Sequence, residues 1–188
     1  MRLRSLIGLA GMLVVLPGCA VALFAGGIGA AAMVANERRA SEAMLADERL
    51  EWESSRRLRG SGQWESLNVN ITSYNRMLLL TGQAANEQAR AAAERIVAEV
   101  PNVRGVANEM VVGNFSNFAA RSNDTLITTQ VKSPFVAAEG FNPGHVKVLT
   151  EAGVVYLLGL VTPTEGERAA RVAATTQGVS RVVKVFEY

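Results

Sequence analysis

Residues 68–82 read NVNITSYNRMLLLTG, and the pattern returns 77 positions later, where residues 145–159 read HVKVLTEAGVVYLLG. Apolar residues and a final glycine occupy corresponding positions: Val69 and Val146, Ile71 and Val148, Leu78 and Val155, Leu80 and Leu157, Gly82 and Gly159. Alternating apolar residues are typical of half-buried strands, and residues 74–76 and 151–153 supply the turn between them. Each copy is therefore predicted to be a β-hairpin.

Helical periodicity flanks both hairpins. The spacing i, i+3, i+4, i+7, which marks one face of a helix, joins Ala93, Ile96, Val97 and Val100, and again Ala169, Val172, Ala173 and Thr176. A last strand is predicted to begin at Val103 and at Val179. Weaker helices precede the hairpins, at about residues 47–59 and 124–133. Ile127 and Val131 share a face of the second of these, which Ser122, Asn123 or Asp124 is available to cap.

Each unit therefore reads α-β-β-α-β. Helices on one face of a small mixed sheet give an α+β fold. The sequence predicts two such units with independent cores. Residues 113–121, which lack a sustained period, are the predicted linker between them, and residues 37–46 are a stalk or the lead-in to the first helix.

The N-terminus has the layout of a secretory signal peptide. Arg2 and Arg4 precede an apolar run from Leu6 to Leu16, which is shorter than the roughly 20 residues that cross a bilayer. We predict that residues 1–18 are removed and that residues 19–44 form a tether. The tether contains an apolar, glycine-broken segment, residues 20–36, for which a second membrane pass is the less favoured interpretation.

Cys19 follows the apolar run, and the segment Leu16-Pro17-Gly18-Cys19 resembles the lipobox of bacterial lipoproteins. In such proteins the thiol receives diacylglycerol and then becomes the new N-terminus. Two or more acyl chains give stable anchoring to a membrane. Cys19 is therefore the predicted lipidation site, and an incidental cysteine after a plain signal peptide is the alternative. Ala20, at the position after the cysteine, resembles the signal for export to the outer membrane.

Charge and composition exclude several classes of protein. The chain has 19 Lys and Arg against 17 Asp and Glu, and removal of Arg2 and Arg4 leaves 17 against 17. A neutral mature chain argues against general nucleic-acid binding, which depends on neutralising phosphates. One cysteine and one histidine allow neither an internal disulfide framework nor a zinc site.

We find no catalytic arrangement of residues in the sequence. His145 begins a strand, and no residue is spaced to serve as its nucleophile or as a metal co-ligand. Ser122 does not lie in a nucleophile-elbow motif. Glu87 and Glu165 are placed near helix starts, and Thr164 with Glu167 is a predicted capping box. The sequence therefore predicts a non-enzymatic protein without cofactor or metal.

The order of strand, tight turn, strand ending in Leu-x-Gly, alanine-rich helix and Val-x-x-Val resembles the BON domain. The pattern occurs twice behind a lipobox, and residues 122–132, SNDTLITTQVK, together with residues 158–162, LGLVT, resemble the second domain of dual BON-domain outer-membrane lipoproteins. The expected domains are residues 45–112 and 122–188. The resemblance implies a lipid-anchored protein of the bacterial outer membrane that faces the periplasm and supports envelope integrity, with the cell division site as a candidate location.

The helix that begins near Asp124 is the candidate binding surface. If Ile127 and Val131 face the core, Leu126 lies on another face beside hydroxyls and Lys132, where it is either a peripheral core residue or a side chain that inserts at a headgroup boundary. The resemblance implies that this helix binds anionic phospholipid, and the family has a tryptophan at the position of Leu126. The predicted phospholipid-binding residues are Asn123, Asp124, Thr125, Leu126, Thr129 and Lys132.

Two alternatives remain open. Arg56, Arg57 and Arg59 are either a second patch for an anionic surface or, as the sequence favours, a solvated helix end. For the whole protein, the alternative to phospholipid binding is an interaction adaptor. Such an adaptor docks on outer-membrane assembly machinery or peptidoglycan without recognising lipid headgroups.

Overall fold

A computed structural model describes residues 41–188, all of which belong to one compact unit. The predicted signal peptide, Cys19 and the residues of the tether up to 40 lie outside the described residues. Between Ser41 and Tyr188 no helix has the length and apolar character needed to cross a bilayer.

The first domain has two helices on one mixed sheet. Its elements are α1 (Ser41–Gly60), β1 (Leu67–Tyr74), β2 (Met77–Ala84), α2 (Glu87–Ala98), β3 (Gly105–Asn108) and β4 (Val111–Val112). β1 pairs antiparallel with β2, and β3 and β4 both pair parallel with β2 on its other side. The predicted hairpin and the α-β-β-α-β order are confirmed, with the last strand divided in two.

The second domain repeats the arrangement. Its elements are α3 (Phe118–Ala137), β5 (Val146–Glu151), β6 (Val154–Leu160), α4 (Pro163–Ala174) and β7 (Arg181–Glu187). β6 is the central strand, antiparallel to β5 and parallel to β7. The α+β class predicted from the repeat is therefore confirmed in both copies. The last strands begin at Gly105 and Arg181, two residues later than Val103 and Val179.

Several helix limits differ from the predicted ones. α1 begins at Ser41, so most of the predicted stalk is helical. α3 begins at Phe118, because the Asn117 side chain accepts a hydrogen bond from the Ala120 backbone at 3.0 Å and caps the helix. Residues 118–121 of the predicted linker are thus helical, and neither Ser122, Asn123 nor Asp124 is the cap. α3 also continues beyond Pro134 to Ala137.

The capping box of α4 lies two residues before the predicted one. Thr162 is the N-cap, and Glu165 accepts hydrogen bonds from the Thr162 backbone N–H at 2.8 Å and from its hydroxyl. Pro163 follows the cap, as is common at the first helical position. Thr164 and Glu167 therefore do not form the box; Glu167 instead accepts a hydrogen bond from Lys184 on β7 at 2.6 Å.

Each sheet has its helices on one face. In β2, Leu78 and Leu80 pack with α1 and α2, whereas Leu79, whose side chain points the other way, belongs to a different cluster. β6 has the same division: Val155 and Leu157 pack with α3 and α4, and Tyr156 and Leu158 with the other cluster. The central strands are therefore buried on both faces, as their continuous apolar runs allow.

The faces that carry no helices pack against each other. Their cluster contains Tyr74 and Leu79 from the first domain together with Tyr156 and Leu158 from the second. The layers are therefore α, β, β, α, with the sheets in the middle. Each domain has a core of its own, as predicted, and this third cluster, which was not predicted, is shared by the two domains.

Polar contacts at the edge of the shared cluster also join the domains. The Glu151 carboxylate, which is buried, accepts hydrogen bonds from Asn70 Nδ2 at 2.8 Å and Gln83 Nε2 at 3.1 Å. Glu187 accepts hydrogen bonds from Asn75 Nδ2 at 2.8 Å and from Arg104 Nη1. These two carboxylates of the second domain thus accept hydrogen bonds from donors of the first, which fixes the stacking of the sheets.

Candidate functional site

The candidate site lies on α3, where five of the six predicted binding residues are exposed and one is not. Asn123, Thr125, Leu126, Thr129 and Lys132 are all on the exposed surface of the helix. Asp124 is only 6% exposed. Cys19, the predicted lipidation site, lies outside the described residues.

Asp124 holds the turn of the neighbouring hairpin. Its two carboxylate oxygens accept hydrogen bonds from the backbone N–H groups of Ala152 and Gly153, both at 2.8 Å. These residues have φ of 50° and 75°, as a two-residue hairpin turn of this type requires. Asp124 is therefore removed from the headgroup-binding set, because its carboxylate is buried and committed to the turn.

Asp47 holds the hairpin turn of the first domain in the same way. It accepts hydrogen bonds from the backbone N–H groups of Asn75 at 2.8 Å and Arg76 at 2.7 Å, where φ is 50° and 66°. Sequence analysis missed this role, although a signal was present: Asp47 and Asp124 are 77 residues apart, the same displacement as the hairpins.

Leu126 is the most informative residue of the site. Its side chain is 61% exposed, so it is not a peripheral core residue. Ile127 and Val131, in contrast, are buried in the core of the second domain, as predicted. The fold thus presents a large apolar side chain to the outside at a position where packing does not require one.

An apolar and hydroxyl-bearing stripe extends from Leu126 along the helix. Thr129, Ser133 and Val136 follow it at i+3, i+7 and i+10, the spacing of one helix face, and Val136 is 74% exposed. Sequence analysis did not include Val136, because the helix was expected to end before Pro134. Val136 belongs to the exposed stripe because α3 continues past that proline.

The hydroxyl groups of the site face the helix backbone. Thr125 Oγ1 donates to the Arg121 carbonyl and Thr129 Oγ1 to the Thr125 carbonyl, both at 3.0 Å. Their protons are therefore used, but the oxygen lone pairs can still accept hydrogen bonds. The two threonines form a mildly polar border to Leu126.

The exposed surface of α3 is positively charged. Asp124, which is buried, is the only acidic residue of the helix, whereas Arg121 and Lys132 are both exposed. Lys132 forms no hydrogen bond or ion pair with any of the described residues. An anionic surface approaching α3 therefore meets two cations and no exposed carboxylate of that helix.

His145 does not lie in a reactive arrangement. Its Nδ1 is 4.0 Å from Glu165 Oε1, the carboxylate that also closes the capping box of α4. Within residues 41–188 no three His, Cys, Asp or Glu side chains are grouped as metal ligands would be. The histidine thus sits beside a structural carboxylate at the start of β5.

Comparison with known proteins places this geometry in a family. A model of the BON domain matches residues 46–114 and again residues 123–188. The chain is 36% identical over 187 residues to the outer membrane lipoprotein DolP of Haemophilus influenzae, which amounts to 99% of this chain and 96% of that protein.

Two further relatives match part of the chain. The 21 kDa hemolysin of Actinobacillus pleuropneumoniae is 36% identical over 124 residues, 66% of this chain and 64% of that protein. The osmotically-inducible protein Y of Escherichia coli is 25% identical over 121 residues, 63% of this chain and 60% of that protein. None of the three names describes an enzyme. With two BON domains and full-length similarity to DolP, the chain belongs to the dual BON-domain proteins and is a lipid-anchored lipoprotein of the outer membrane.

Proposed function

We propose that this protein is non-enzymatic, is anchored through Cys19 and faces the periplasm, where α3 of its second BON domain binds anionic phospholipid. The observation that carries the proposal is the exposure of Leu126 on a helix whose exposed charges are all positive. An apolar side chain inserts at the headgroup boundary while basic residues attract anionic lipid. Binding of this kind supports the integrity of the outer membrane, including at the division site.

The residues that remain in the proposed site have distinct roles. Leu126 inserts, and Lys132 attracts phosphate, which is worth about 1 kcal/mol for a basic residue near an anionic surface. Asn123, Thr125 and Thr129 are exposed polar residues around Leu126 that can hydrogen-bond with headgroups. Val136 extends the inserting surface by one further turn.

The test uses the full-length lipid-anchored protein in vesicles, so that the anchor is present in every sample. Amide hydrogen exchange of residues 118–137 is compared between vesicles of phosphatidylcholine and vesicles that also contain phosphatidylglycerol. We expect slower exchange in the anionic vesicles, and loss of that protection in Leu126→Glu and in high salt, which screens the attraction. Ala174→Glu is the matched control, since Ala174 is exposed on α4.

The result that overturns the proposal is equal exchange of α3 in both vesicles, or protection that survives in a folded Leu126→Glu protein. Either outcome would favour the adaptor alternative, in which the protein docks on outer-membrane assembly machinery or peptidoglycan. Circular dichroism and thermal melting of each variant establish that the fold is retained.

A further inference from the structure

The outward face of α1 carries an exposed tryptophan beside arginines. Trp52 is 66% exposed, and the Arg56 guanidinium lies over its ring, 5.5 Å from the centroid. Arg59, one turn further along, lies 5.1 Å from the ring centroid of Trp64. Trp64, the other tryptophan of the chain, is partly buried and packs against the core of the first domain, so Trp52 is the exposed indole of this surface.

The BON fold itself does not require a tryptophan at position 52. The buried residues of the first helices correspond at the displacement of 77, Leu50 to Ile127 and Leu58 to Phe135, as Asp47 does to Asp124. At the same displacement, Trp52 corresponds to Thr129. The second domain therefore builds the same helix without an indole at this position, and the core of the first domain does not explain Trp52.

The C-terminal half of α1 is also positively charged. From Trp52 to the end of the helix there are three arginines and one glutamate. Glu53 is shared between Arg56, at 2.7 Å, and Arg57, at 3.1 Å, and its hydrogen bond with Arg56 is the main reason that the pKa of Glu53 is lowered. Arg59 has no carboxylate partner among the described residues. The arginines are thus in excess over the carboxylate that pairs with them.

An open groove runs beside this surface. It has a volume of about 600 Å³ and lies between α1 and the edge of β1, lined by Trp52, Ser55, Arg56, Arg59 and Ile71 together with Glu48 and Glu51. Glu51 accepts hydrogen bonds from the Ser73 backbone and from Lys147. Of the two carboxylates that line the groove, Glu48 is therefore the one without a hydrogen bond to the described residues. The groove therefore offers guanidinium groups at one end and apolar side chains beside them.

We propose that Trp52, Arg56 and Arg59 form a second membrane contact, which binds anionic phospholipid headgroups through the first BON domain. Indole rings favour the membrane interface, and guanidinium groups bind phosphate oxygens in bidentate geometry. The chain is lipid-anchored, and only residues 20–40 separate Cys19 from α1. A short tether keeps this surface at high local concentration near the bilayer, so weak contacts suffice.

This contact rests on the lipid anchor and not on the binding by α3. α1 and α3 lie in opposite outer layers of the sandwich, and the residues of the two surfaces do not overlap. Each surface can therefore be altered without changing the other, which keeps the two proposals separately testable.

The test measures tryptophan fluorescence of the full-length lipid-anchored protein in vesicles that contain brominated phosphatidylcholine as a quencher. The signal of Trp52 is the difference between the native protein and Trp52→Phe. We expect a blue shift and at least twofold more quenching when phosphatidylglycerol is included than in neutral vesicles. Arg56→Gln with Arg59→Gln should remove that difference. Arg95→Gln with Arg171→Gln is the control, because it neutralises two exposed arginines on α2 and α4.

Leu126→Glu should not reduce the quenching of Trp52, because the two surfaces lie in opposite outer layers and do not contact one bilayer at the same time. The proposal is overturned if Trp52 shows no lipid quenching, if quenching is equal in neutral and anionic vesicles, or if both arginine pairs reduce it equally. It is also overturned if Leu126→Glu abolishes the signal while the Arg56 and Arg59 variant retains it, since α3 would then be the surface that holds the protein to lipid.

Discussion

The carboxylate of Asp124 accepts a hydrogen bond from the backbone N–H of Gly153, 29 residues further along the chain, at 2.8 Å. The contact fastens α3 to the turn between β5 and β6, and Asp47 makes the equivalent contact in the first domain. The helix that carries the exposed Leu126 is thereby fixed to the sheet. A buried, fully hydrogen-bonded carboxylate thus positions the surface without being part of it.

Replacement of Asp124 should destabilise the protein without a direct effect on headgroup recognition. Asp124→Ala leaves the N–H groups of Ala152 and Gly153 without their acceptor, and we expect a loss of about 2–3 kcal/mol in the free energy of unfolding. Urea denaturation followed by circular dichroism measures this loss. Asn123→Ala, at the exposed neighbouring position, should change stability by less than about 0.5 kcal/mol; a similar loss in both variants would contradict the role of the carboxylate.

The sequence predicts the local elements well because their signals are local. Alternation around a two-residue turn identifies both hairpins, and the i, i+3, i+4, i+7 pattern identifies α2 and α4. The start of α3 is mispredicted because Asn117 and the segment Ser122–Asp124 both satisfy the residue preferences of an N-cap. Only the fold decides between them, since Asp124 is taken up by a turn that lies distant in sequence.

The packing of one sheet on the other has a signal in the sequence, which the alternating pattern of the hairpins does not include. Leu78, Leu79 and Leu80 are consecutive, which indicates a strand buried on both faces and not a half-buried one. The exposure of the site residues is also not predictable from the sequence pattern. Exposure of Leu126 depends on the exact orientation of α3, and the exposure of Val136 depends on the helix continuing past Pro134. Neither follows from the pattern of residues alone.

The shared cluster should make the two domains unfold together. Leu158 packs in this cluster from the second domain, and Leu158→Ala should cost about 2–5 kcal/mol. Both tryptophans are in the first domain, so their fluorescence reports unfolding of the domain that was not mutated. We expect the fluorescence and circular dichroism transitions in urea to shift to the same lower midpoint. An unchanged fluorescence midpoint would indicate that the domains unfold independently.

The shared cluster should also make stability sensitive to alkaline pH. Burial raises the pKa of the Tyr156 phenol, and the charge of Glu109 raises it further. The unfolded chain ionises this tyrosine at its ordinary pKa of about 10. The stability contributed by the neutral phenol is therefore present below about pH 10 and is lost as pH rises through the folded pKa. Tyr156→Phe should reduce the loss of stability in this range, measured as urea midpoints, and should remove a step of tyrosinate absorbance at 295 nm from above the ordinary range of tyrosine.

Substitution of Leu126 by tryptophan should strengthen contact of α3 with lipid. Leucine inserts into the interface, but an indole is favoured at the level of the headgroups, and the exposed position of Leu126 leaves room for the larger ring without disturbing the core formed by Ile127 and Val131. We expect Leu126→Trp to increase the protection of residues 118–137 from hydrogen exchange in anionic vesicles. The new indole should also be quenched by brominated lipid.

Ala174→Trp provides the matched control, because it places an indole at an exposed position of α4, away from the proposed site. Its indole should remain accessible to acrylamide and unquenched by lipid, and exchange of α3 should match the native protein. If Leu126→Trp and Ala174→Trp are quenched to the same extent, contact with the bilayer is not specific to α3. If neither is quenched while Trp52 is, the first domain alone rests on the membrane.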